Sequence, residues 1–163
     1  MKTIDEIAAD KLLELINYLL SKIIKPDIKI DSISKLTEND IDELKNKFNV
    51  EAIILDVDDT LRKELKMIPK CNQEWIENLK CKIIVLSNGK DQKIKDYFEK
   101  IGIDYIEFAH KPLRKNFVKA CEKLNVDPKN VLVIGDSLFS DIYGGKRNNM
   151  KTMLVKNVED EER

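Results

Sequence analysis

The chain has 163 residues, 42% of them hydrophobic and 36% charged, which suits one soluble domain large enough to bury a core. Lys plus Arg number 29 against 30 acids, a formal charge of -1, so no global basic excess points to nucleic acid. Three cysteines without C-x-x-C spacing and a single histidine, His110, assemble no Cys/His zinc cluster; the cysteines read as free thiols of a reducing cytosol, with a Cys–His110 nucleophilic pair as the lesser alternative.

Residues 4–24 place Ile4, Ile7, Ala8, Leu12, Leu15, Ile16, Leu19, Leu20, Ile23 and Ile24 at steps of three, four and one, which predicts one amphipathic helix. Thr3 with Glu6 forms a capping box, Lys22 and Lys25 lie late, and Pro26 ends the segment. Its polar face carries Asp5, Glu6, Asp10 and Glu14 rather than a basic belt, favouring docking on the domain or on a second copy over a membrane surface. Those early acids also do not fit a signal peptide, and no apolar stretch reaches spanning length, so the expected location is cytoplasmic.

Residues 27–49 are polar, with a short helix predicted at 38–47. Apolar runs then recur at 52–57, 83–87, 105–108, 131–135 and 152–155, separated by helical stretches at 73–79, 91–101, 114–124 and 139–147. Strand and helix in alternation predict right-handed crossovers and a mostly parallel five-stranded sheet covered on both faces, a three-layer α/β/α fold. An acidic tail occupies 159–163.

In a parallel sheet every strand ends on one edge, where α/β proteins bind ligands. Here those ends deliver Asp56-Val57-Asp58-Asp59-Thr60, then Ser87-Asn88-Gly89, then His110-Lys111-Pro112, then Gly135-Asp136-Ser137 with Asp141 following. Taken singly, the first leans only slightly towards chemistry over a solvated turn, and the later three read more readily as ordinary turns and a solvated lysine. The D-x-D start also opens calcium loops, but such a loop needs Asp or Asn, Gly and Glu where this chain has Thr60, Leu61 and Met67. Together, the four corners suit phosphoryl transfer: a carboxylate to attack, a second to move a proton, and cationic and N–H donors for the phosphoryl oxygens. Clustered acids would repel one another without a hard cation among them, and Mg²⁺ with its preference for oxygen ligands is expected.

These four motifs resemble those of the haloacid dehalogenase superfamily, and from about residue 27 to 158 most resemble subfamily IIIA, the YqeG-like phosphatidylglycerophosphate phosphatases. The resemblance implies a HAD-like, Rossmannoid domain over 26–163 with residues 1–25 as an appended helix. It implies Asp56 as nucleophile and metal ligand, and Asp58 as general acid/base with its carbonyl on the metal. Asp136 and Asp141 would complete the metal site, Ser87 and the backbone around Asn88 would bind phosphoryl oxygens, Lys111 would neutralise them, and Thr60 would fix the first loop. Asp59 departs from the Asn often found there, adding a negative charge near the metal.

The stretches 61–86 and 89–110 are consumed by one helix and flanking strands each, so no cap domain is expected. Capless relatives have open sites, suited to a large or surface-bound phosphomonoester such as a lipid phosphate, with residues 4–24 as a peripheral membrane or self-association contact at the inner membrane face. Arg62, Lys63, Lys90, Arg114 and Lys115 could add positive charge at the mouth, although ordinary solvated side chains are the favoured reading. Two rivals stand beside the phosphatase. A phospho-accepting receiver-like domain shares Asp, Mg²⁺, Ser/Thr and Lys but orders them differently along the chain, and a non-catalytic scaffold would not need the complete motif set.

Overall fold

A computed structural model describes residues 3–158; the acidic tail at 159–163 lies outside the described residues. The first helix, α1 (Ile4–Ile23), forms with the expected capping box, Thr3 and Glu6 exchanging side-chain and main-chain hydrogen bonds at 3.2 and 2.7 Å. None of its residues is buried: Ile4 and Ile23 are 85% and 81% exposed, and its apolar face stands open to solvent along most of its length. It approaches the chain at the turn 138–143. Among the described residues no helix is long and apolar enough to cross a membrane.

The remaining helices are α2 (Glu38–Phe48), α3 (Lys70–Asn78), α4 (Gln92–Lys100), α5 (Arg114–Leu124) and the single turn α6 (Gly144–Arg147). The strands are β1 (Ile28–Ile30), β2 (Ala52–Leu55), β3 (Lys82–Leu86), β4 (Asp104–Ile106), β5 (Val131–Gly135) and β6 (Lys151–Val155). They form one sheet in the order β1-β6-β5-β2-β3-β4, every neighbouring pair parallel. Among the described residues the sheet thus has six strands where five were expected. The addition, Ile28-Lys29-Ile30, lies in the segment read as polar and pairs with Met153-Leu154-Val155 from the far end of the chain.

Every residue of β2 and β5 is buried, as the unbroken apolar runs require. Alternate side chains divide between two cores. Ile53, Leu55, Leu132 and Ile134 pack with Ile76 of α3 and Ile94 and Phe98 of α4 on one face; Ala52, Ile54, Val131 and Val133 pack with Phe117, Ala120 and Cys121 of α5 on the other. The three-layer arrangement follows from that alternation. Each of the crossovers β2 to β3 and β3 to β4 carries one helix and no inserted domain. The three cysteines are free, and burial pushes the Cys81 and Cys121 thiols up from their ordinary range.

Candidate active site

β2 lies between β5 and β3, so its C-terminal end is flanked by two others at the same level. Leu55 is in register with Ile134 on one side and Val85 on the other, and the Asp56 N–H donates to the Ile134 carbonyl at 3.0 Å. Beyond this point the chain tightens around the Val57 carbonyl, which accepts the N–H groups of Leu61 and Arg62 at 2.8 and 3.2 Å. Asp59 closes the turn in the left-handed region, φ 58°, and its N–H donates to the Arg62 carbonyl at 2.7 Å. That conformation is most tolerable to Asn, Asp or Gly, which accounts for a short polar residue here.

Five of the expected residues meet at this edge. The fully buried Thr60 hydroxyl donates to Asp56 Oδ2 at 2.9 Å and stands 3.5 Å from Asp136 Oδ1. Lys111 Nζ lies between Asp56 Oδ1 at 2.6 Å and Asp141 Oδ1 at 2.7 Å. Asp141 arrives from a wide helical turn, Leu138–Tyr143, that folds back over the end of β5, where its Oδ2 accepts the Ser137 N–H at 3.1 Å. Only glycine fits beneath it: a Cβ on Gly135 would lie 2.2 Å from the Asp141 carboxyl. The single helix expected over 139–147 is therefore this wide turn followed by α6, a shape that recurs at functional sites.

Asp56, Asp136 and Asp141 bring carboxylate oxygens within 4.8 Å of one another. Burial first, and then the charges of Asp56 and Asp141, raise Asp136 to about 8; Asp59 adds to this. Burial and the Asp56 charge raise Asp141 to about 6, with Lys111 pulling the other way. Burial alone would lower the Lys111 ammonium, but Asp141 and Asp56 together outweigh it and raise its pKa above the ordinary lysine range. Three close acids facing one ammonium, with only oxygen donors, fit a hard divalent cation.

This crowding predicts an unusual pH response. A carboxyl that holds its proton more tightly when folded makes stability fall as pH rises from its unfolded value, about 4, to its folded one. Between pH 5 and 8 the metal-free protein is therefore expected to lose stability as pH rises. Asp136→Asn should flatten the profile and Mg²⁺ should restore the loss at pH 8, both read as melting temperature; a metal-free melting temperature that rises across this range would contradict the assignment.

Other expected residues are placed around this cluster. Ser87 is buried at the end of β3, where its Oγ accepts the Gly89 N–H at 3.2 Å and meets the Tyr105 hydroxyl. The Asn88 side chain turns to the lysine loop, accepting the Lys111 N–H at 2.7 Å and donating to the Lys111 carbonyl at 3.4 Å. It thereby braces Lys111. Phe108 and His110, just before the lysine, both have left-handed backbones, φ 49° and 50°. Lys90, Arg114 and Lys115 are exposed, as the solvated reading expected.

Arg62 is not. It is 4% exposed and donates to Asp58 Oδ1 at 2.8 Å, to Asp91 Oδ2 at 2.7 Å and to the Lys66 carbonyl at 2.8 Å. The Asp58–Arg62 spacing is visible in the sequence; Asp91, contributed by a different strand end, gave no such signal. A groove of 660 Å³ opens at the opposite edge of the sheet, lined by Ile76, Leu79, Cys81, Ile83 and Ile103 among others, and lacks the acid cluster.

The family model described as haloacid dehalogenase-like hydrolase matches residues 3–149. A protein described as the probable phosphatase YqeG of Bacillus subtilis (strain 168) is 34% identical over 142 residues, covering 84% of this chain and 80% of that protein. A glyceraldehyde 3-phosphate phosphatase of Pyrococcus abyssi is 45% identical over 64 residues, 39% of this chain and 27% of its own length. Among solved structures, a 2-haloacid dehalogenase from Pseudomonas syringae shares the fold, with TM-score 0.52 at 12% identity over 70% of this chain and 91% of its own. Along most of its length this chain belongs to the haloacid dehalogenase-like hydrolases and is an enzyme of that family, related over most of its sequence to a protein described as a probable phosphatase.

Proposed function

We propose that the chain is a Mg²⁺-dependent phosphomonoesterase in which Asp56 carries the phosphoryl group between two half-reactions. The supporting observation is Lys111 Nζ, held at 2.6 Å from Asp56 and 2.7 Å from Asp141 beside a third acid. Lys111 and the Thr60 hydroxyl each hold one oxygen of Asp56, so its carboxylate is fixed in place. In the first half-reaction a carboxylate oxygen of Asp56 attacks phosphorus and the ester P–O bond breaks, with Asp58 giving its proton to the departing alcohol. In the second, Asp58 takes a proton from water, the water oxygen bonds to phosphorus, and the Asp56 carboxylate is released with inorganic phosphate. Asp56, Asp136 and Asp141, with the Asp58 carbonyl, would hold Mg²⁺, which when bound offsets phosphoryl charge and the mutual repulsion of the acids. Ser87 and the main chain around Asn88 bind the phosphoryl oxygens that Lys111 neutralises.

For substrate we favour a large or surface-presented phosphomonoester, with phosphatidylglycerophosphate the leading candidate. The crossovers beside the site carry no cap, and apolar side chains stand exposed on the loops after three strand ends: Leu65 and Met67 after β2, Phe108 and Leu113 after β4, and Phe139 after β5. We further take residues 26–163 as the catalytic unit and α1 as an arm that brings it to a membrane face or to another copy.

Mg²⁺-dependent phosphate release should be measured on phosphatidylglycerophosphate in vesicles, sugar phosphates, nucleotides and phosphopeptides. The lipid is expected to be preferred, with removal of residues 1–25 lowering turnover on vesicles while sparing soluble substrates. Equal or better turnover of a sugar phosphate by both proteins would overturn the lipid assignment.

A further inference from the structure

A guanidinium that is 4% exposed is costly to bury unless its donors are satisfied, so the partners of Arg62 show what it is for. None belongs to the cluster of Asp56, Asp136 and Asp141, where Lys111 already supplies the positive charge. Arg62 instead bridges Asp58 and Asp91. Asp91 is itself anchored, because its other oxygen caps α4 by accepting the N–H groups of Lys93 and Ile94 at 3.0 and 3.3 Å. A line of fixed atoms therefore runs from the N-terminus of α4 through Asp91 and Arg62 to Asp58.

The line ends on one oxygen only. Arg62 Nε engages Asp58 Oδ1, while the Asp58 side chain remains 35% exposed against 5% for its partner. With Oδ1 held, Oδ2 is the oxygen left to carry a proton to or from a bound substrate. A planar, forked guanidinium can hold two carboxylates in fixed directions, which the point charge of lysine does not do.

We infer that Arg62 is a positioning residue for proton transfer: it holds Asp58 with Oδ2 presented to the leaving group, and Asp91 holds Arg62. This rests on Asp58 acting as general acid, as proposed above. Arg62 touches no reacting atom, so its effect should follow the need for a proton.

The test compares kcat/KM for 4-nitrophenyl phosphate, whose leaving group departs without protonation, with that for an alkyl phosphate, which needs it. Arg62→Met is expected to lower the alkyl value about 30-fold or more and the nitrophenyl value less than about 3-fold, a part of the roughly 10²–10⁴-fold available to acid–base catalysis. In an Asp58→Asn background, Arg62→Met should add less than about 3-fold, since a residue acting through another has nothing left to act on. Asp91→Asn, which keeps the arginine and the shape of the cap, should show the same dependence on leaving group in weaker form and supplies the answer if Arg62→Met does not fold. Equal losses on both substrates, or full additivity with Asp58→Asn, would reduce Arg62 to a structural residue and overturn the inference. A wild-type chain with Mg²⁺ that hydrolyses neither ester would instead remove the phosphatase reading, and the positioning role with it.

Discussion

Asp56→Asn is expected to abolish Mg²⁺-dependent hydrolysis of 4-nitrophenyl phosphate, by at least about 10³-fold, while leaving the metal-free protein as stable as the wild type or more so. The amide keeps the size of the carboxylate but cannot form the acyl phosphate. It also removes one of three acids crowded at this edge, and the Asp56 charge is among the causes that raise both Asp136 and Asp141. Activity and stability should therefore move in opposite directions, the pattern of a site whose charges are arranged for reaction at the expense of the fold. Phosphate release and a thermal melt on the same preparation check both halves. Turnover near the wild-type rate would remove Asp56 from the nucleophile's role.

Lys111→Met should lower activity and stability together. The lysine side chain is 2% exposed and lies between carboxylates that are themselves 12% and 2% exposed, so deleting its charge leaves Asp56 and Asp141 facing each other in the interior. Removing one partner of a buried ionic group costs about 3–5 kcal/mol, and losing a cationic donor to the phosphoryl oxygens costs about 10²–10³-fold in kcat. The loss of stability should deepen as pH rises, because protonation of the acids is what relieves their repulsion at low pH. Denaturant midpoints for both variants at pH 6 and pH 8 provide the comparison. If Lys111→Met melts with the wild type at both values, the ion group does not hold this edge together.

The apolar runs made most of the sheet readable because strands buried on both faces leave an unbroken signal, and β2 and β5 are wholly buried. β1 left no such trace. A single Ile-Lys-Ile in a polar stretch becomes a strand only by pairing with β6, and nothing local marks that partner. The acid cluster was legible for a related reason: parallel strands must end together, so residues at successive strand ends share a crevice whatever their distance in sequence. Side-chain pairing was harder to see. Asn88 was expected to place its backbone at the phosphoryl group, and its side chain proves to brace Lys111; Arg62 looked like one more solvated cation until Asp91, from the loop after β3, was seen to meet it.

The strand order also bears on how the molecule comes into being. β2 reaches its final neighbours only when β5, drawn from far later in the chain, slides in beside it, and β1 waits for β6, the last strand among the described residues. Contacts this remote in sequence form late and slowly. A growing polypeptide that has made Asp56, Ser87 and Lys111 still lacks Asp136 and Asp141, so it cannot assemble the acid cluster. On the proposed function, no activity is expected before synthesis has passed Asp141, and the acid cluster is among the later parts of the described fold to form.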